Sequence, residues 1–490
     1  MESPDAAPDP LLSSAFDPEA FRQAGHRLVD RLAGYLQNCR ERRLPVLSWE
    51  EPDAAARYWT SCLERSEAGQ NAPLDQILEE FIERSFHNHH PRNLGHQVGV
   101  SLPAAALTTF AAAVIDSGGG VYEVGLAATA MERAVVQSLG RTFGLPEGAD
   151  GVLTSGGSLG TLHALLAARQ LGSAHDAWAA GNSGAETVLA STVSHYCVER
   201  SVRMMGLGSQ GILPLPSDPF GRVFPEALPR VVDEARKLAR DPIALVANAC
   251  TTATGVFDPL TEIGEFCKKE GIRLHVDAAH GGAAAFSATH RHRLAGIGGA
   301  DSVVLDLHKM CLTPTVVTAL LFARGEDSFR VFTQQADYLW RSEDDQQWFN
   351  MARRTVECTQ PLFAPRVFAI LAGFGPQLIE RCVDRTFALA QDFAGLLREQ
   401  PDFELLLQPE SNIVCYRYAP QGLSPVQLDA LNSEVRRALV RDGQFYIVET
   451  SWSGRRWLRS ALMNPCAARS DLEALLDEIR GVARLAVRQA

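Results

Sequence analysis

The sequence predicts an α/β protein: a mixed, mostly parallel sheet flanked by helices, followed by a smaller C-terminal α+β domain. Three observations lead there. Between residues 150 and 375 short, continuously apolar, β-branched runs alternate with helical stretches, the pattern of strands covered on both faces. Beyond about residue 375 the periodicity changes to a long helix, a strand, a second long helix, two strands and a last helix. The chain has 490 residues and is 46% hydrophobic, enough for a large core and more than one domain.

The elements follow in order. Residues 1–14, MESPDAAPDPLLSS, hold prolines and aspartates and no basic residue, so a disordered tail on a cytoplasmic protein is expected where a secretory signal would be basic and then apolar. Residues 15–100 form an N-terminal helical segment: apolar residues recur at helical spacing from Phe16 to Leu36, Asp17-Pro18 suits a cap and first turn, and a second helix runs from Leu74 to Phe86. Residues 101–375 form the large domain, with helices from Met131 and Leu159 and strands at 151–154, 187–190, 243–247, 274–276, 303–305 and 316–322. Residues 376–490 form the small domain, with helices at 377–400, 424–442 and from 470, a strand at 412–418, and strands near 445 and 458.

Composition removes several function classes. The 46 basic residues face 58 acidic ones, a net charge of -12, so neither nucleic acid nor an anionic membrane is the expected partner. No apolar run is long enough to span a bilayer. Ten scattered cysteines without a CxxC pair read as reduced, mostly buried thiols. The HNHHPRNLGHQ loop is rich in histidine, but its spacing puts neighbours on opposite faces with no acid or cysteine beside them, so no metal is expected.

The chemistry concentrates in three places. In RLHVDAAHGG an apolar strand ends in Asp277; in SVVLDLHKM the next ends in His308 and Lys309. The distance between them fits one strand–helix–strand crossover, which puts both strand ends on one edge of the sheet, where open α/β sheets bind ligands. In TSGGSLGTLHALLAAR a strand turns through Gly156, Gly157 and Ser158 into a helix, whose free N–H groups and dipole suit a phosphate. It lacks the endings of the Walker and dinucleotide loops. A phosphate cradle, a lysine and an acid on one edge point to pyridoxal 5'-phosphate: the lysine to bond the aldehyde, the acid to keep the pyridine protonated as an electron sink.

HVDAAHGG, ADSVVLDLHKM, VLTSGGSLGTLHALLAAR and HYCVERS resemble the group II pyridoxal-phosphate-dependent amino-acid decarboxylases. The resemblance runs from about residue 15 to the C-terminus and implies fold type I, the PLP-dependent transferase fold, and a homodimer with the active site at the subunit interface. By resemblance Lys309 is the Schiff-base lysine, Asp277 the pyridinium partner and His195 the imidazole stacked on the ring. Gly157 and Ser158 match the phosphate turn, Thr252 the threonine beside the ring and His308 the histidine before the lysine. Tyr338 matches the loop tyrosine that protonates the carbon losing carbon dioxide. His96 matches a substrate-pocket position, with Gln97 beside it, and Arg459 the arginine that reaches the substrate carboxylate in glutamate decarboxylases. Leu307, Leu159 and the CTQPLFAPR stretch depart from the family pattern without removing a cofactor contact.

The expected function is therefore L-amino-acid α-decarboxylation, releasing carbon dioxide and an amine, on a small polar or acidic substrate such as glutamate, aspartate or 2,4-diaminobutyrate. Three alternatives stand beside it: an aromatic amino-acid decarboxylase, an oxidative aldehyde synthase, which the presence of Tyr338 disfavours, and a non-catalytic relative, which the Asp277–Lys309 pair disfavours.

Overall fold

The computed structural model describes residues 9–332 and 348–489. They form two compact units, one from the described residues between 95 and 432 and residues 448–465, the other from residues 9–94, 433–447 and 466–489.

The first unit is organised by a seven-stranded sheet. Its strands are β1 (Asp150–Thr154), β2 (Glu186–Ser191), β3 (Ile212–Leu215), β4 (Asp241–Asn248), β5 (Arg273–Asp277), β6 (Ser302–Asp306) and β7 (Thr318–Phe322). Their spatial order is β1-β7-β6-β5-β4-β2-β3. β7 runs antiparallel to both neighbours, and the other pairings are parallel. The sheet is mixed and mostly parallel, as the apolar runs predict. Apart from the edge strand β3, its strands are largely buried on both faces, and alternate residues feed opposite cores. Leu245 and Ala247 of β4 pack with Ile263 and Val135, while Ala244 and Val246 pack with Leu165 and Ala168 of the helix Gly157–Gly172. Each such Leu or Val contributes about 1.5–3 kcal/mol on burial.

One expectation is corrected here. The connection from β5 to β6 contains no α-helix; it runs through three short 3₁₀ turns, Gly281–Phe286, Arg291–Leu294 and Ile297–Gly299. The glycines and small residues of GGAAAF and AGIGG disfavour a continuous helix. The parallel pairing of β5 with β6 survives, so the predicted consequence holds by another route. With β7 reversed, β1, β2, β4, β5 and β6 all end on the same edge.

The same unit carries a second, antiparallel sheet of β8 (Phe403–Leu405), β9 (Ile413–Tyr418), β10 (Val448–Trp452) and β11 (Arg455–Ala461), in the order β10-β11-β9-β8. The helix Pro376–Arg398 packs on β8 and β9.

In the second unit, the helix Pro18–Arg40 begins as read from Asp17-Pro18: the Asp17 side chain accepts from the N–H groups of Glu19 and Ala20. Within the stretch expected to be a tail, Pro10–Ala15 form a short helix capped by Asp9. Arg42 joins this unit's distant segments through two bonds to the buried Asp471 carboxylate, at 2.7 and 2.6 Å. His87, from the histidine-rich loop, spends both ring nitrogens on backbone carbonyls, of Pro45 at 2.8 Å and Ile82 at 3.2 Å.

Candidate active site

Five strand ends deliver the site. β1 leads into the glycine turn and the helix Gly157–Gly172, β2 into His195, β4 into Thr252, β5 ends on Asp277, and β6 leads into His308 and Lys309. Backbone bonds lock three of these ends together: Ala249 N donates to Asp277 O at 2.8 Å, Ala278 N to Val304 O at 3.1 Å, and Asp306 N to Ala279 O at 3.1 Å.

Lys309 sits on the turn after β6, its N–H donating to Asp306 O at 3.1 Å. Its ammonium lies 2.8 Å from Asp306 Oδ2. Burial opposes the Lys309 charge, but the Asp306 carboxylate, with Asp277 behind it, outweighs burial and holds the ammonium above the ordinary lysine range. Asp277 accepts from the Ala279 N–H at 3.1 Å. Burial pushes its carboxyl above the ordinary range, against the pull of Lys309. Burial lowers His195, with Asp277 opposing, and its Nδ1 accepts from Cys197 N at 3.3 Å.

The glycine turn fits a phosphate. Gly156, at φ 145°, caps the helix, its carbonyl accepting from the N–H groups of Leu159 and Gly160; among the described residues no side chain bonds those of Gly157 and Ser158, which leaves these donors and the dipole available to an anion. Gly157 is required by space: a Cβ there would lie 2.8 Å from Asp306 Oδ1. Ser158 is exposed in the first turn, and Thr252 is half-buried. Its neighbour Thr251 has a different task, bonding Thr254 at 2.8 Å and the Val256 N–H at 3.2 Å inside the loop. His308 is buried, its Nδ1 against the backbone of Val317 at 2.9 Å from O, so this ring steadies the turn that presents Lys309. The cradle, the half-buried Lys309 and an Asp277 carboxyl that, among the described residues, accepts only a backbone N–H fit pyridoxal 5'-phosphate.

Arg459, on β11, is 6% exposed. Its Nε and Nη2 have no hydrogen-bond partner. Burial lowers its guanidinium, and the groups acting on it are the thiols of Cys415 and Cys250. Among the described residues, no carboxylate compensates it. His280, which follows Asp277, ties this region to β9: its Nε2 meets Asn412 Oδ1 at 2.7 Å. Burial, with Lys309 and Arg459 adding to it, drives His280 down to about 3, so the ring is neutral. His96 is exposed, whereas the amide nitrogen of Gln97 is buried without a partner. Tyr338 lies outside the described residues.

Sequence reading passed over Asp306, Gly99 and His280. Asp306 carried a signal: an acid closing an apolar strand three residues before the lysine. Gly99 carried none. Its N–H donates to His308 O at 3.3 Å, and a Cβ there would fall 1.8 Å from Lys309 O.

The comparisons with known proteins agree with this geometry. Residues 71–419 match the pyridoxal-dependent decarboxylase conserved domain. The acidic amino acid decarboxylase GADL1 of Bos taurus is 28% identical over 89% of this chain and 85% of its own length. The L-2,4-diaminobutyrate decarboxylase of Acinetobacter baumannii is 26% identical over 94% of this chain and 92% of its own. The crystal structure of mouse CSAD superposes with a TM-score of 0.88 at 26% identity, covering 95% of this chain and 99% of that one. The chain belongs to the pyridoxal-dependent decarboxylase family. It is a pyridoxal-phosphate-dependent enzyme acting on amino acids. Among the described residues, no helix is long and apolar enough to cross a membrane.

Proposed function

We propose that the protein removes the α-carboxylate of a small acidic amino acid, with pyridoxal 5'-phosphate held by Lys309, Asp277, His195, Thr252, His308 and the Gly157–Ser158 turn. When bound, the cofactor supplies an electron sink for the pair left as carbon dioxide departs. The chain does the rest. Lys309 contributes the anchoring amine, and Asp277 holds a proton at the ring nitrogen. His195 covers the ring face, and the uncapped helix end takes the phosphate. Tyr338 returns a proton to the carbon.

The observation that carries the substrate class is Arg459. A buried guanidinium without a counter-charge is costly, and an incoming carboxylate is what it lacks. Two relatives, an acidic amino acid decarboxylase and a cysteine sulfinic acid decarboxylase, support the same class; diaminobutyrate, the substrate named for a third relative, is the competing polar one. His96 and Gln97 line the substrate's approach in this reading. The test is carbon dioxide release from a panel of acidic, diamino and aromatic amino acids. Turnover of aromatic substrates alone would refute the acidic class while leaving decarboxylation intact.

The same reading includes a homodimer with the active site at the subunit interface. The helix Pro103–Ile115 turns Leu107, Phe110, Val114 and Ile115 outward, a patch that monomers rarely leave in water. Sedimentation at micromolar concentration checks it. A cytoplasmic location fits ten cysteines of which none forms a disulfide.

A further inference from the structure

Two carboxylates act on Lys309, the half-buried Asp277 and the buried Asp306, and only Asp306 is bonded to it. Asp277 accepts from the Ala279 N–H. Asp306 takes the ammonium at 2.8 Å on Oδ2, while the Thr318 hydroxyl donates to Oδ1. Its main chain is fixed at both ends, by Asp306 N to Ala279 O and Lys309 N to Asp306 O. Gly157 closes over the same carboxylate, with no room for a Cβ. Asp306 is therefore aimed and backed, and its charge is 5% exposed.

We propose that Asp306 is the resting counter-ion of Lys309, a positioning residue that holds the amine protonated at the side of the site whenever that amine is not bonded to the cofactor. This rests on Lys309 being the cofactor-binding lysine. The other groups around the pair are Asp277 and His280 at the end of β5, Cys250 beyond β4, His195 and Cys197 beyond β2, and His308 on the same turn; Arg459 acts on Cys250 and His280. Burial raises Cys250 and Cys197 to about 12, so both stay neutral thiols. That leaves Asp277 as the competing anion. The carboxylate of Asp306 lies lower than usual despite burial, because Lys309 and His308 favour its charge.

The consequence is kinetic. To bond the cofactor, Lys309 must release one proton to solvent. The neutral amine then bonds to the aldehyde carbon, and the aldehyde oxygen leaves as water. An ion pair that favours the ammonium slows this capture at neutral pH and keeps the freed amine charged and parked during turnover.

The experiment uses full-length protein freed of cofactor and follows the absorbance as it captures pyridoxal 5'-phosphate or, separately, pyridoxal, between pH 6.5 and 9.5. Asp306→Asn keeps the shape and the Thr318 contact but removes the charge. Losing one close opposite charge lowers a cation by about 1–2 pH units, so capture of both aldehydes at pH 7.5 should accelerate about 10–100-fold. The advantage should shrink toward pH 9.5. Asp306→Ser, smaller and also uncharged, should act in the same direction if the amide variant does not fold. Acceleration confined to the phosphorylated aldehyde would overturn the proposal, because it would place the effect of Asp306 on the phosphate. So would an equal acceleration in Asp277→Asn, or none in Asp306→Asn while borohydride still fixes the cofactor to Lys309. Borohydride labelling of a different lysine would instead overturn the assignment of Lys309 itself.

Discussion

The two edges of the large sheet both bury charge, and they treat it in opposite ways. At the leading edge, where β1 begins, Arg354 is fully buried and each of its nitrogens has a partner: Ser328 Oγ at 2.9 Å, Asp150 Oδ2 at 3.0 Å and Trp348 O at 3.4 Å. Arg133 pairs with the same Asp150 carboxylate, and Glu132 accepts from the Leu153 N–H at 2.8 Å. At the trailing edge Asp277 has a backbone N–H and the charge of Lys309 without a bond to it, and two nitrogens of Arg459 have no hydrogen-bond partner among the described residues. A buried charge that is satisfied holds elements together; one left unsatisfied is held ready for a ligand.

That contrast can be broken by substitution. Lys309→Ala should abolish turnover while the protein stays folded, and borohydride should fix the cofactor to Lys309 in the native enzyme; residual turnover near the native rate would remove the lysine from the chemistry. Arg354→Leu should act on the other edge, costing about 1–3 kcal/mol of stability by taking one of its two arginine partners from Asp150 and leaving Ser328 Oγ and Trp348 O without their donor, read by urea denaturation, with activity per folded molecule retained. Asp277→Ala should lose about 3–4 kcal/mol of transition-state stabilisation, seen in kcat/KM at unchanged denaturation midpoint. Arg459→Met should raise KM for acidic substrates about 10–100-fold, the worth of a charge-assisted hydrogen bond of about 1.5–3 kcal/mol, and raise it much less for diaminobutyrate. Its stability should not fall, because no partner is stranded; a loss as large as that of Arg354→Leu would make Arg459 structural.

The smallest effect is on pH dependence. Burial raises the Glu132 carboxyl to about 7 from its unfolded value of about 4.5. The folded state therefore binds the extra proton between those values, and Glu132 contributes stability at low pH that is lost as pH rises through 7. Glu132→Gln should be more stable than the native protein at pH 8 by on the order of 2 kcal/mol, and the difference should vanish toward pH 5. Thermal midpoints across that range measure it.

Much of the trailing edge was legible beforehand because its signals are local. An apolar run that stops at Asp277, another that stops at His308-Lys309, and a strand that breaks on Gly156-Gly157 each describe themselves within about ten residues. The connection between β5 and β6 was misread as helical because chain length alone cannot separate a helix from a series of 3₁₀ turns of similar reach. The strands Ile212–Leu215 and the helices Pro52–Glu67 and Pro103–Ile115 carried patterns too short or too uniform to announce themselves.

What remained depended on pairing across long stretches of chain. The residue types at the strand ends, and with them the family chemistry, follow from order along the chain, since strand formation and chain reversal answer to neighbouring residues. That Asp306 and not Asp277 takes the Lys309 ammonium depends on β7 folding back antiparallel to put Thr318 behind the carboxylate, and on the helix Gly157–Gly172 closing above it. That Arg459 stands without a counter-charge among the described residues depends on β11 pairing with β9, which sets it opposite Cys415. Hydrogen bonding and burial settle such matters only when distant segments meet, because the charge state of a buried group is set by what surrounds it in space, not by what adjoins it in sequence.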